Sequence, residues 1–168
     1  MDMNYCMQCG ARLEKKLHPD EGREIPWCPG CGAFRHPIFN TAVSMVVLNP
    51  AQDKVLLIRQ YGKPFYVLVA GYVNQGEDAE DAAARELHEE TGLTAAALRF
   101  NHSHYFAPTN TLMLNFTVTV AEDTVRANWE VDEWRWFSLE EGAEKIKPAS
   151  LARAFLRGWL SGGQYEFS

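Results

Sequence analysis

The sequence predicts an α/β domain, a mixed sheet covered by helices, with a small ribbon ahead of it. Three observations predict it: cysteines confined to the first 31 residues, a succession of alternating apolar runs from residue 41 onward, and one strongly acidic helix among those runs. The 168 residues, 46% of them hydrophobic, suffice for one globular core and a small appendage. The ribbon is assigned residues 1–36 and the main domain residues 37–168.

The four cysteines stand as CMQC (Cys6, Cys9) and CPGC (Cys28, Cys31), with 18 residues between the pairs. Two thiolates three residues apart on a tight knuckle face one tetrahedral ion, and Gly10 and Gly32 after each pair permit the turn. The spacing points to structural zinc. Two disulfides are disfavoured in a cytosolic chain, and a redox pair would not need the second knuckle. A site with four protein ligands has no open position, so this metal is expected to clamp the fold rather than to catalyse.

Residues 33–41 read as an extended connector, with Pro37 breaking any helix. TAVSMVVLNP and DKVLLIRQYG are β-rich runs joined by a turn at Asn49-Pro50, a hairpin, and PFYVLVAGYV stays extended to Gly71. From Asp78 to Thr91 the pattern becomes helical. Asp78, Glu80 and Asp81 crowd the first turn, where the helix dipole favours anions, and Gly92 supplies the C-terminal cap. LRFNHSHYFA, TLMLNFTVTVA and VDEWRWFSL alternate as three further strands, and SLARAFLRGWLSGG closes the domain as a helix with Leu151, Phe155 and Trp159 on one face.

A net charge of −6 argues against wide electrostatic binding to nucleic acid or an anionic membrane. No run of about 18 apolar residues is present, and the start MDMNYCMQCG lacks the basic end and apolar stretch of a signal peptide. A cytoplasmic location with no membrane partner is the expectation.

On the acidic helix, Glu86, Glu89 and Glu90 fall within about 100° of arc. Three neighbouring carboxylates repel unless cations occupy the site, and oxygen ligands in this number suit magnesium or manganese. Arg85 is placed to hold a neighbouring carboxylate, with Glu77 as its partner, whereas His88 lies about 200° round the helix from Glu86 and is expected at the surface. The bland alternative is a solvated acidic face. The wider pattern displaces it. Gly71, five residues, Glu77, seven residues and then RELHEETGL fit Gly-x5-Glu-x7-Arg-Glu-U-x-Glu-Glu-x-Gly-U, with U aliphatic, without a mismatch. At an average usage of about 7% per type, such a pattern recurs by chance on the order of once in a hundred million positions.

This segment resembles the Nudix box. Nudix hydrolases cleave a nucleoside diphosphate linked to another group, through attack of metal-activated water, and carry the box as a loop-helix-loop within an α/β/α sandwich. The resemblance implies that Glu86, Glu89 and Glu90, with the Gly71 carbonyl, hold one or more magnesium or manganese ions. It implies that Glu77 and Arg85 fix the loop and orient the carboxylates. Families of this fold take a further glutamate from a later segment as base or ligand. Glu130 and Glu133 are available here, and Glu133, directly before WRWF, is the expected one.

A four-cysteine ribbon followed by such a domain is similar to the NADH pyrophosphatases (NAD diphosphatases), over the chain from Cys6 to its end. That resemblance implies cleavage of NADH or NAD to nicotinamide mononucleotide and AMP, with NAD-capped RNA as the one nucleic-acid substrate and a homodimer as the assembly. Tyr72 would stack on the base, Phe34 and His36 would add a second stacking face, and Arg59 and Lys63 are candidate phosphate cations. Two departures stand against it. Family members typically carry a further domain ahead of the ribbon, which this stretch of sequence does not include. Their Ser-Gln-Pro-Trp-Pro-Phe-Pro-x-Ser signature corresponds here to SHYFAPTNT, which keeps Ser103 and an aromatic at Phe106 but has His104 for the Gln. Hydrolysis of ADP-ribose or another nucleotide sugar is therefore the second enzymatic expectation. A nucleotide-sensing or RNA-binding module without turnover is the third, against which the intact box weighs.

Overall fold

The computed structural model describes residues 3–167, so residues 1, 2 and 168 of the two assigned domains lie outside the described residues. The chain divides into two compact units, Met1–Phe39 and Asn40–Ser168.

In the first unit, β1 (Glu14–Leu17), β2 (Glu24–Cys28) and β3 (Ala33–Phe34) form an antiparallel sheet in that order. The two residues of β3 come from the stretch expected to be a connector, because Phe34 pairs with Trp27 and packs against it edge-on, ring centroids 4.7 Å apart. Each knuckle closes on a left-handed glycine. Gly10 (φ 73°) donates to the Cys6 carbonyl at 2.8 Å, and Gly32 (φ 65°) to that of Cys28 at 2.9 Å.

The second unit is built on a mixed six-stranded sheet. Five strands follow the order β7-β8-β4-β5-β9: β7 (Ala95–Phe106), β8 (Thr111–Val120), β4 (Asn40–Leu48), β5 (Lys54–Gln60) and β9 (Val131–Ser138). The sixth, β6 (Val69–Tyr72), pairs with the first half of β4. Pairing is antiparallel except between β4 and β8, which run parallel, Asn40 beside Thr111 through Leu48 beside Thr119. β4 is covered on both faces, which is why seven consecutive residues of it, from Ala42 to Leu48, are buried and apolar alternation is lost.

One face packs on α1 (Ala79–Thr91): Leu56, Ile58, Met45 and Phe116 meet Ala82, Ala83 and Leu87. The other packs on α3 (Leu151–Leu160): Val46, Leu57 and Phe137 meet Phe155 and Leu156, with Leu151 and Trp159 at the margin. The result is an α/β/α sandwich. A short helix, α2 (Leu139–Lys145), was not expected from the apolar pattern; a capping box between Ser138 and Glu141 starts it. Of the run PFYVLVAGYV, only Val69–Tyr72 form a strand, with Val67 adding an isolated bridge to Ile58 of β5, fewer residues than its apolar length suggests. Among the described residues, no helix is long and apolar enough to cross a membrane.

Candidate active site

β6 and α1 bring the acidic helix onto the sheet. Gly71, in β6, lies so close to the Glu86 carboxylate that an added Cβ would land on it, so any larger residue would displace that carboxylate. α1 ends at Gly92 (φ 70°), whose N–H donates to the His88 carbonyl at 2.8 Å. His88 itself is exposed.

Arg85 organises the loop and the helix. Its Nε and Nη2 donate to the two Glu77 oxygens at 2.7 and 2.9 Å, Nη1 donates to Glu86 at 2.7 Å and Glu89 at 3.2 Å, and Nη2 also reaches the Tyr72 carbonyl at 3.1 Å. The five donors of the guanidinium thus meet five acceptors. Hydrogen bonds from Arg85 and from the Asn74 N–H hold the Glu77 carboxyl down at about 2, and the carboxylates raise the Arg85 pKa in return.

Glu90 is the buried member of the cluster. Gln60 Nε2 donates to its Oε1 at 2.9 Å, while Oε2 is buried without a hydrogen-bond partner among the described residues. Burial first, then the charges of Glu86, Glu130 and Glu89, push its carboxyl up to about 7. A buried, unpartnered carboxylate oxygen suits a hard divalent cation, although among the described residues only the four cysteines bring three or more ligand atoms within 4.8 Å of one another. Gln60 extends the stripe Leu56, Ile58, Gln60 on the α1 face of β5, so strand periodicity alone carried the signal for it.

Glu133 and Glu130 are placed differently. Glu133 opposes Arg59 in the β5–β9 register, pairs with it at 2.8 Å and accepts from the Tyr66 hydroxyl. Glu133 shares the α3 face with Phe137, four residues on, where Tyr66 packs edge-on against Phe137 at 5.1 Å. The structure therefore does not bring Glu133 to the carboxylates of α1. Glu130 accepts from the Tyr61 hydroxyl at 3.1 Å, and its charge acts on both Tyr61 and Glu90. A register irregularity at Arg59/Gln60 accompanies this change of face.

The remaining candidates are scattered. Tyr72 is 58% exposed at the end of β6. Lys63 is exposed just past β5. Arg59 is committed to Glu133, with its Nε buried and unpartnered among the described residues. Phe106, at the end of β7, lines a cleft on the α3 side of the sheet. Within the first unit, Phe34 lies between His18 (4.5 Å) and Trp27 (4.7 Å), and His36 is exposed with Nδ1 3.8 Å from Glu21. A separate apolar pocket of about 170 Å³ is lined by Gln60, Ser44, Ala70, Met113, Ala152 and Phe155, so the amide that holds Glu90 also borders a cavity.

The four cysteine sulfurs of the first unit lie within 4.8 Å of one another, with Cys6 to Cys31 at 3.9 Å and Cys9 to Cys28 at 3.4 Å. These separations exclude disulfides and are close to the edge of a tetrahedron with Zn–S bonds of about 2.3 Å. Arg35 Nε donates to Cys6 Sγ at 3.2 Å and draws that thiol down to about 5, whereas hydrogen bonding from Cys9 and burial push Cys31 up to about 12. Four thiolates so close cannot all be charged without a cation among them.

A Gly71 cradle, an Arg85-ordered run of carboxylates and an α/β/α sandwich define a Nudix domain, and the chain belongs to that family. The family model described as NUDIX domain matches residues 39–157. The chain is similar to the NAD-capped RNA hydrolase NudC of Pseudomonas aeruginosa (strain LESB58), at 31% identity over 160 residues, 94% of this chain and 55% of that protein. It is also similar to the NudC of Deinococcus radiodurans, at 28% over 142 residues, 82% of this chain and 49% of that one. The chain thus spans about half the length of the curated relatives it matches. Among solved structures, a NUDIX hydrolase from Nitrosomonas europaea superposes with a TM-score of 0.61 at 20% identity, covering 99% of this chain and 97% of that one, a likeness of fold.

Proposed function

We propose that the chain is a metal-dependent pyrophosphohydrolase that splits the diphosphate of NADH or NAD into nicotinamide mononucleotide and AMP. The observation that carries this reading is the buried, unpartnered Glu90 oxygen within the carboxylate cluster that Arg85 orders. Glu86, Glu89, Glu90 and the Gly71 carbonyl would hold magnesium or manganese, which when bound neutralises the diphosphate and acidifies water. Arg85 and Glu77 keep those carboxylates in place, so that little reorganisation accompanies the reaction. Glu130 is the further acid–base or ligand group in this scheme, since Arg59 and Tyr66 occupy Glu133. The exposed Tyr72 ring offers a stacking face for a base, and the apolar pocket beside Gln60 has room for part of the substrate. Zinc in the cysteine cluster, a homodimer, a cytoplasmic location and action on NAD-capped RNA, the substrate in the relatives' names, belong to the same reading.

The test is product identification by mass spectrometry after incubation with magnesium or manganese and NADH, NAD, ADP-ribose or diadenosine polyphosphates in parallel. Fastest release of nicotinamide mononucleotide and AMP from NADH is expected. Preference for ADP-ribose would overturn the nicotinamide assignment, and silence on every substrate would overturn the enzymatic one.

A further inference from the structure

Two neighbouring residues at the end of β5 reach two different carboxylates. Gln60 Nε2 donates to Glu90 Oε1 at 2.9 Å, and the Tyr61 hydroxyl donates to Glu130 Oε2 at 3.1 Å. In a regular strand, neighbouring side chains point to opposite faces. Here the chain leaves the strand at Tyr61, which takes a left-handed conformation (φ 54°) rarely adopted by a residue with a Cβ, and Gly62 continues it (φ 67°). The β5–β9 register steps from Arg59–Glu133 to Gln60–Val131, which leaves Asp132 as the extra residue of β9. Asp132 Oδ2 accepts from the Gly62 N–H at 2.6 Å. A left-handed turn pinned to β9 thus delivers both side chains to the site.

Glu90 and Glu130 are also tied to each other through Asn128. Its N–H donates to the Glu90 carbonyl at 3.1 Å, and its Oδ1 accepts from the Glu130 N–H at 2.9 Å. Glu90 is only 4% exposed, and with Gln60 on Oε1 its Oε2 is left buried and unpartnered among the described residues. An ionised carboxylate only accepts, so the amide nitrogen of Gln60 serves it, and that bond fixes which of the two oxygens stays free. Burial first, then the hydrogen bond to Glu130 and the charges of Glu130, Glu90 and Glu86, raise the pKa of the Tyr61 hydroxyl, so this ring stands within electrostatic reach of the α1 carboxylates.

We propose that Gln60 and Tyr61 are positioning residues of a divalent-metal site, Gln60 presenting the free oxygen of Glu90 to magnesium or manganese and Tyr61 holding Glu130 at the margin of the same cluster. Each acts through the carboxylate it bonds rather than on the ion. Groups that hydrogen-bond a ligating carboxylate fix its orientation, and their loss costs about ten- to a hundredfold in metal affinity. Both residues lie outside the segment from Gly71 to Leu93, so the affinity of the site is set in part by a turn that the box does not contain. The proposal rests on the reading of the α1 carboxylates as a metal site, and not on the identity of the substrate.

Isothermal titration of the full chain, its cysteine site filled with zinc, against manganese tests it without any need for turnover. Gln60→Met keeps the length of the side chain and loses the donor, and it should weaken manganese by about tenfold or more with the circular dichroism of the parent. Tyr61→Phe loses only a hydroxyl and should weaken it by about three- to tenfold. Because Tyr61 acts through Glu130, Tyr61→Phe/Glu130→Gln should bind no more weakly than Glu130→Gln alone. With any substrate that the parent hydrolyses, excess manganese should restore kcat in both single variants, which a damaged fold would not allow. Parental affinity in Gln60→Met or Tyr61→Phe, or additive losses in the double variant, would overturn the proposal while leaving the metal site in place. A parent that binds no manganese would overturn both. The expected losses in a chain that hydrolyses nothing would uphold the positioning role and overturn the enzymatic reading alone.

Discussion

At the scale of single residues, the site depends on close approach and on unequal burial. Gly71→Ala would drive a methyl group into the Glu86 carboxylate while leaving β6 paired with β4. Turnover is expected to fall by about two orders of magnitude, as misplacement by about 1 Å does elsewhere. Circular dichroism should remain that of the parent; a variant with full turnover would remove Glu86 from the site. Glu90 makes a different prediction. Its folded-state carboxyl titrates at about 7 against an ordinary 4.5, so between those values the metal-free native state holds a proton that the unfolded chain has lost. Stability of the metal-free protein should therefore fall as pH rises from about 4.5 to about 7, by on the order of 3 kcal/mol, and Glu90→Gln should flatten that slope. Urea unfolding at a series of pH values measures it, and added magnesium should restore the stability lost at the upper end. The Glu77–Arg85 pair and the acidic face of α1 were legible in the sequence because they are local, lying within one loop and one helix. The choice between Glu130 and Glu133 was not legible, since the register irregularity opposite Gln60 decides which face each glutamate takes.

At the scale of elements, the limits of α1 were readable from Asp78 and Gly92, and the three later strands from their alternation. α2 was not, because seven residues are too few for helical periodicity to rise above the run of charges, and its capping box is its only local mark. The end of α1 carries a prediction. Gly92 has φ 70°, and a Cβ there would stand 3.1 Å from that of Arg126. Gly92→Ala should cost about 1–2 kcal/mol, a fall in Tm of several degrees by calorimetry, and an unchanged Tm would mean that the helix ends without this cap. Strand register has its own lock. Buried Asn115 on β8 donates to Ser44 Oγ on β4 at 2.8 Å and accepts from Asn101 on β7 at 2.9 Å, and Thr117 donates to Asn101 at 2.8 Å. A slip of one residue would break these bonds and leave the buried groups, Asn115 and Ser44, without them. Nothing in the local pattern marks Asn115 for this role, which exists only once three strands meet.

At the scale of the molecule, two compact units share one chain: a ribbon too small to bury a core of its own, and a sandwich with apolar clusters on both faces of its sheet. Cys28→Ser is therefore expected to abolish retention of zinc by elemental analysis and to raise hydrogen exchange in β1–β3, with β4 and β8 unchanged. Undiminished protection of β2 would show that the ribbon folds without its fourth ligand. The presence of both units was legible from cysteine spacing and strand patterning, because each signal lies within its own segment. The parallel pairing of β4 with β8 has no such signal. β4 opens the sandwich and its partner lies 71 positions further along, Asn40 against Thr111, with β9 further still. On the ribosome, the ribbon has all its ligands once Cys31 has emerged, whereas the central strand of the sandwich must wait for most of the remaining chain. The order of synthesis thus sets the order of folding, and a truncated or stalled product ending before residue 111 would expose the unpaired apolar edge of β4 to chaperones and proteases.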